Sequence, residues 1–108
     1  MVSVTLKRDS QNRVNGFRCL GHAGYAKKGS DIVCSGISAL TLTTIAALEK
    51  ILGLELKIRH NKKSNLLECN WVNDPLRVDR AELIIQVMIL GLTDIQEQYP
   101  EFIKVIPS

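Results

Sequence analysis

The chain has 108 residues, enough for one domain with a single modest hydrophobic core but too few for a second domain. Its 45% apolar and 23% charged residues are typical of an ordinary globular protein and argue against a long disordered segment. The net charge of +3 is mild and does not by itself indicate nucleic-acid binding.

The N-terminal residues do not resemble an export signal, because Val2 to Leu6 contain neither a basic leader nor a long apolar run. The longest uncharged run, from Ile32 to Leu48, is shorter than the roughly 20 residues that span a bilayer, so we expect a helix of a soluble fold. Three cysteines are an odd number for a disulfide framework, and free thiols are expected. These features predict a cytoplasmic protein without a membrane partner.

The first half of the chain predicts a β-hairpin followed by a helix. Residues 2 to 6 alternate between apolar and polar side chains, the period of a half-buried strand, and a second strand is predicted over about Val14 to Gly21. A glycine-containing loop, Gly21 to Ser30, follows. Apolar residues then recur at helical spacing and predict a first helix over about Asp31 to Leu52, with Gly53 as its C-terminal stop.

The second half predicts the same order of elements again. Alternating residues indicate a strand over Leu54 to Arg59 and, after a polar turn, another over Leu66 to Trp71. Asp74 as N-cap and Pro75 at the first helical position predict a second helix that ends before Pro100. The predicted apolar stripe of this helix consists of Leu76, Leu83, Ile84, Val87, Leu90 and Ile95.

A short final strand is predicted over Phe102 to Ile106. The complete order, ββαββαβ, indicates an α+β fold with a mixed sheet in one domain over residues 1–108, and not a doubly wound parallel sheet. Both helices are more apolar than the surface of a monomer normally allows, so we expect a homodimer.

Cys34 is placed where a helix favours an anionic sulfur. If Ser30 or Asp31 caps the first helix, Cys34 lies in its first turn, where unpaired N–H groups and the positive end of the helix dipole favour a thiolate. The same N–H groups are suited to an oxyanion hole. His22, at the other end of the glycine-containing loop, is suited to act as base and acid. We therefore predict a cysteine–histidine pair for acyl transfer, with Asp31 either orienting the imidazole or only capping the helix.

Other interpretations of the cysteines and histidines remain open. Cys19 and Cys69 are expected in the core, and His60 is expected in a solvated turn. A zinc site is disfavoured, because no C-x₂-C pair is present and a continuous strand would point Cys19 and His22 to opposite faces. The absence of C-x-x-C argues against a thiol-redox protein. The remaining rival is a non-enzymatic ribosome-associated module that docks on RNA through Arg59 to Lys63.

Residues 21–34 read G-H-A-G-Y-A-K-K-G-S-D-I-V-C, which resembles the signature of the bacterial ribosomal-processing cysteine protease family. G-H-A followed by G-x-D-I-V-C at this spacing is long and specific, and the resemblance extends over nearly the whole chain in length and element order. His22 and Cys34 fall on the family's catalytic positions, and Asp31 matches the acidic residue before the nucleophile. The substrate-binding loop would then include Gly21, Ala23, Gly24, Tyr25, Gly29 and Ser30.

The resemblance implies a cytoplasmic, homodimeric endopeptidase. It would remove the N-terminal extension of a large-subunit ribosomal protein by cleaving after an aromatic residue, which requires a pocket for that side chain beside the thiol. The family's reaction needs no metal or organic cofactor, and no direct nucleic-acid binding is required.

Overall fold

The computed structural model of the chain describes residues 1–27 and 30–106. Its elements follow the predicted order ββαββαβ, which confirms the α+β fold class. In chain order they are β1 (Val2–Arg8), β2 (Val14–Leu20), α1 (Ile32–Ala46), β3 (Lys57–Asn61), β4 (Leu66–Asn70), α2 (Val78–Gln98) and β5 (Ile103–Ile106).

The five strands form one mixed sheet in the order β3-β4-β2-β1-β5. Both hairpins are antiparallel, β2 is antiparallel to β4, and β5 is parallel to β1. Val2 pairs with Ile103, and the Val2 N–H donates to the Phe102 carbonyl at 2.9 Å. The first and last strands of the chain are therefore neighbours.

One face of the sheet forms the core with the two helices. Val2, Val4 and Leu6 alternate with polar residues along β1, and all three are buried. The alternation places the polar residues on the other face, where Lys7 donates to Glu68 at 2.9 Å. The period-two pattern that predicted the first strand thus also determines which face the helices cover.

The first helix agrees with its predicted extent but changes type near its end. Asp31 is the N-cap, α1 runs to Ala46, and a π-helical turn over Ala47–Ile51 continues it. Gly53, with a φ of 70°, follows the end of the helical segment as predicted. By length and composition alone, the segment Ile32–Ile51 is able to cross a membrane. Here it packs against α2 and against the core.

Two predicted boundaries in the second half are wrong. Strand β3 begins at Lys57, because Leu54 is buried in the core within the preceding connection. Helix α2 begins at Val78, with Arg77 as its N-cap. The Asp74 carboxylate accepts the N–H groups of Leu76 and Arg77 in a turn ahead of the helix, so it does not cap α2 itself.

The predicted apolar stripe of α2 is largely on the wrong face. The helix packs on the core through Ala81, Ile85, Met88 and Leu92, whereas four of the six stripe residues are exposed. The helix is apolar on both sides, so periodicity alone could not identify the packed one. The exposed apolar residues on and just before α2 are Leu76, Leu83, Val87 and Leu90.

Candidate active site

Cys34 lies in the first turn of α1, as the sequence predicts. Asp31 rather than Ser30 is the N-cap, and its Oδ1 accepts the Cys34 N–H at 3.0 Å. Asp31 has the extended backbone conformation typical of an N-cap residue. Cys34 is half-buried, so its sulfur lies at the positive end of the helix and within reach of the surface.

Asp31 also holds the loop that leads to the helix. Its Oδ2 accepts the N–H of Tyr25 at 3.0 Å and that of Ala26 at 3.4 Å. The N–H of Cys34, together with these loop N–H groups, lowers the pKa of the Asp31 carboxyl below its ordinary value. Among the described residues, none of the hydrogen bonds of Asp31 goes to His22. The carboxylate therefore caps the helix and fixes the loop.

Replacing Asp31 with asparagine separates these two roles. The asparagine oxygen can still cap Cys34, but its NH₂ group would face the donor N–H groups of Tyr25 and Ala26. We expect a thermal midpoint lower by about 4–8 °C near pH 7. Differential scanning fluorimetry measures this shift, and Asp74→Asn, in a turn before the other helix, is the matched control.

The pH dependence of this difference follows from the pKa of Asp31. Because its pKa in the folded state lies below the ordinary value of 3.8, its stabilising effect is complete above that value. The effect is lost as the pH falls through the lowered pKa. The difference in thermal midpoint between wild type and Asp31→Asn should therefore become smaller on acidification. A difference that became larger would contradict the role of the charged carboxylate.

The three cysteines have different environments. Burial raises the pKa of Cys19 to about 12 and that of Cys69 to about 11. Both lie in the core, as predicted. Cys34 is the half-buried thiol, and the Ala23 N–H donates to its sulfur at 3.4 Å. A thiolate at Cys34 therefore has one N–H donor beside it and a helix N-terminus behind it.

His22 and Cys34 line the same cavity, which has a volume of about 760 Å³. His22 is exposed and lies just after the end of β2, and no hydrogen bond joins it to Cys34 in the part of the chain that the structure describes. Strand β2 ends at Leu20, so the alternation of side chains along the strand does not extend to His22. Both residues line the cavity.

The residue before His22 is held by an asparagine that the sequence analysis missed. The Gly21 N–H donates to the Asn65 carbonyl at 3.2 Å, and the Asn65 side-chain amide donates to the Gly21 carbonyl. Gly21 has a φ of 104°, and a side chain at this position would overlap the carbonyl oxygen of Met1. The hydrogen bonds between Gly21 and Asn65 join residues far apart in the chain, and the sequence around Asn65 indicates only a polar turn.

The other predicted loop residues divide into two groups. Gly24 lines the cavity, whereas Ala23, Tyr25 and Ser30 do not. Ala23 is buried, and the Tyr25 ring packs edge-on against the rings of Tyr99 and Phe102. Gly29 lies outside the described residues.

The cavity continues well beyond the thiol, which the sequence analysis did not anticipate. His60 lies on β3 rather than in a turn and lines the far wall. Within residues 1–27 and 30–106, no three His, Cys, Asp or Glu side chains come close enough to hold a metal ion. The described residues that line the cavity are Val2, Cys19, Gly21, His22, Gly24, Ala26, Asp31, Cys34, Ser35, Ile37, Ser38, Thr41, Leu42, Ile45, Ile58, His60, Asn65, Leu66 and Leu67.

Comparison with known sequences identifies one family. A sequence model of that family, described as cysteine protease Prp, matches residues 1–104. The ribosomal processing cysteine protease Prp of Bacillus subtilis (strain 168) is 29% identical over 107 residues, which cover 97% of this chain and 96% of the relative. The protein of the same name from Staphylococcus aureus (strain Mu50 / ATCC 700699) is 28% identical over 104 residues and 96% of each chain.

Solved structures give the same result for the fold. The essential ribosomal processing protease Prp from S. aureus, in complex with a covalently linked product peptide, matches with a TM-score of 0.88 and 27% identity. The same protease in complex with a substrate peptide matches with a TM-score of 0.83 and 26% identity. Both comparisons cover 100% of each chain.

Proposed function

Because the chain belongs to the cysteine protease Prp family, we propose that it removes the N-terminal extension of a large-subunit ribosomal protein with a Cys34–His22 dyad. Cleavage follows an aromatic residue of the extension. The observation that carries this proposal is that both side chains line one cavity, with the sulfur in the first turn of α1. The product and substrate peptides bound to the S. aureus relative support a peptide as the ligand.

In this mechanism, His22 accepts the thiol proton and Cys34 attacks the scissile carbonyl carbon. The tetrahedral intermediate collapses to a thioester as the C–N bond breaks, and His22 returns the proton to the leaving amine. The mature protein departs with this new N-terminus. Water, deprotonated by His22, then attacks the thioester carbon and the C–S bond breaks. The Cys34 sulfur takes the proton back from His22, and the extension leaves with a free carboxylate. No cofactor takes part in these steps.

The N–H groups of the first helical turn are less available for an oxyanion hole than the sequence suggests. The Cys34 N–H is bonded to the Asp31 carboxylate, and the Ser35 N–H to the Asp31 carbonyl. The Ala23 N–H instead points at the sulfur from 3.4 Å. Once the sulfur is bonded to the scissile carbonyl carbon, the Ala23 N–H donates instead to the carbonyl oxygen, which has become negatively charged.

His22 reaches Cys34 when the loop closes over the bound substrate. The loop is anchored on one side by the bonds between Gly21 and Asn65 and on the other by Asp31. Between these anchors Gly24 has a φ of 74° and open space where a side chain would lie. Its freedom of rotation allows the exposed imidazole to move while both anchors stay in place.

The aromatic side chain before the scissile bond fits the floor of the cavity near the thiol. Val2 and Cys19 form this floor from the sheet, and Ile37 lies one helical turn after Cys34. All three are buried and apolar. Full burial of such a side chain contributes about 1.5–3 kcal/mol of binding free energy.

The enzyme acts in the cytoplasm as a homodimer in this proposal. Helix α2 supports the homodimer, because three of its exposed apolar residues lie about one turn apart on one side of the helix: Leu83, Val87 and Leu90. A second copy of the chain would remove them from water.

The experiment is incubation of the organism's own extended ribosomal protein with the enzyme in reducing buffer, followed by mass spectrometry of the products. We expect one cut directly after an aromatic residue and loss of the extension. A substrate in which that aromatic residue is replaced by aspartate is the control and should stay intact. An uncut natural substrate would contradict the substrate assignment, and a cut elsewhere would contradict the aromatic specificity.

A further inference from the structure

We propose that the face of the sheet opposite to the helices binds the phosphate backbone of double-stranded RNA. We call this surface the outer face, and its cations are Lys7, Arg18, Lys57, Arg59 and Lys104. The inference goes beyond cleavage of the extension, because this surface takes no part in the chemistry at the thiol. The choice of RNA, rather than another polyanion, rests on the proposed ribosomal substrate.

The register of the strands places the cations on one face. Lys7 lies on the polar side of β1, whose other side is buried. Thr5, two residues earlier, pairs with Arg18 of β2. Arg18 pairs with Glu68 of β4, and Glu68 pairs with Arg59 of β3. Since residues that pair directly across a sheet point to the same face, the outer face has a continuous row of side chains from β1 to the edge strand β3.

Two further lysines extend the cationic surface to both edges of the sheet. Lys57 lies two residues before Arg59 on β3, and Lys104 of β5 pairs with Ser3. Because neighbouring strands lie about 4.8 Å apart, the cations extend over about 19 Å from β3 to β5. A nucleic-acid duplex carries a negative charge about every 1.7 Å along its axis. Several phosphates of one duplex therefore come within reach of the outer face.

Glu68 is the only acidic residue in the five strands. It is 6% exposed, and its carboxylate accepts hydrogen bonds from Lys7 at 2.9 Å and from Arg59 at 3.5 Å. The side chains of these two cations are still 41% and 74% exposed. The buried carboxylate therefore orients both cations without removing them from solvent. Five cations against one carboxylate leave the outer face strongly positive.

Helix α2, on the other side of the sheet, has the opposite balance of charge. It contains one basic residue, Arg80, and four acidic residues, which are Asp79, Glu82, Asp94 and Glu97. The mild net charge of +3 therefore conceals a separation of charge between the two sides of the domain. Such a field directs a polyanion to the outer face and away from α2.

The other side chains of the outer face favour a duplex backbone as the ligand. Ser3, Thr5 and Asn70 lie among the cations and add the hydroxyl and amide groups that contact phosphates besides Lys and Arg. No strand contributes an aromatic residue to the outer face, so it lacks a platform for single-stranded bases and an anchor for a protein partner. Double-stranded RNA is recognised by shape and by backbone contacts, which need neither. A second copy of the chain is disfavoured, because two positive faces repel each other.

The outer face and the cavity can be occupied at the same time. Val2, Cys19 and His60 line the cavity from the sheet, and their side chains alternate with those of the outer face. The run Arg59 to Lys63, which the sequence offers as one RNA-docking element, is therefore divided: Arg59 belongs to the outer face and His60 to the cavity. RNA on the outer face holds the enzyme near a ribosomal substrate and leaves the thiol open.

The test is fluorescence anisotropy with an end-labelled RNA duplex of about 16 base pairs, titrated with the whole protein. For about four phosphate contacts, the affinity should fall by about 10²-fold between about 50 and 200 mM salt. Arg18→Gln combined with Lys57→Gln should lower the affinity at about 50 mM salt by about tenfold or more. The matched control, Lys50→Gln combined with Arg80→Gln, removes the same charge from exposed positions on the helices and should bind within about twofold of wild type.

Three results would overturn the inference. Equal losses of affinity in the two double variants would show that only the net charge matters and not the outer face. Binding that does not weaken with salt would rule out phosphate contacts. Displacement of the RNA by polyglutamate at the same concentration of negative charge would assign the outer face to an acidic protein instead.

Cleavage of a short peptide by the same proteins is measured separately. Arg18→Gln combined with Lys57→Gln should cut the peptide at the wild-type rate, because neither residue lines the cavity. A wild-type protein that cuts the peptide but does not bind the duplex would refute only the RNA site. One that binds the duplex but cuts no peptide would refute only the proposed function.

Discussion

Replacement of Cys34 with alanine is expected to lower the rate of peptide cleavage by about 10³-fold or more, because Cys19, the other cysteine in the cavity lining, is buried and burial raises its pKa to about 12. His22→Ala should cause a loss of similar order. The double variant should be little worse than either, since the two residues act as one unit. Single-turnover cleavage measured by mass spectrometry gives these rates directly.

Cys69→Ala is the control for removal of a thiol as such. Cys69 is buried in the core and does not line the cavity, so its loss should reduce stability but leave cleavage close to wild type. Retention of activity in Cys34→Ala would refute the dyad. So would loss of activity in a Cys69→Ala protein that is fully folded at the assay temperature.

Gly21→Ala is expected to lower both the stability and the activity of the protein. Gly21 has a φ of 104°, which alanine adopts only with strain, and the new methyl would overlap the Met1 carbonyl oxygen. We expect the free energy of unfolding to fall by about 2 kcal/mol or more. Since His22 is the next residue, its displacement by about 1 Å would also lower kcat by about 10²-fold.

Gly24→Ala is the matched comparison for Gly21→Ala. Gly24 also has a positive φ, of 74°, but nothing lies within 4 Å of the position of a new side chain. It should therefore show the backbone strain without the steric overlap. Urea denaturation measures both variants, and equal losses of stability would show that the contact with Met1 is not important.

The local features of the site could be predicted from sequence, because each depends on residues close together in the chain. The loop between His22 and Cys34, the cap at Asp31 and the start of α1 at Ile32, two residues before Cys34, all lie within residues 21–34. The alternation along β1 likewise predicted both the strand and its buried face. Local hydrogen bonds and side-chain periodicity determine these features.

The remaining features depend on contacts between distant segments. Asn65 reaches Gly21 from the other hairpin, and Ile58 of the edge strand β3 lines the same cavity as Leu42 of α1. Nothing in the local pattern of either segment indicates such a partner. The packed face of α2 was mispredicted for a related reason: both faces are apolar, and only tertiary packing distinguishes Ile85 from Leu83.

The parallel pairing of β1 with β5 has a consequence for the synthesis of the chain. The ribosome makes β1 long before β5, so one edge of β1 stays unpaired until β5 has been made. Val2, in the floor of the cavity, is held by a bond to Phe102, near the opposite end of the sequence. Such a topology folds slowly, because the chain must close nearly its whole length into one loop. The floor of the cavity is therefore complete only after β5 has been made and has paired with β1.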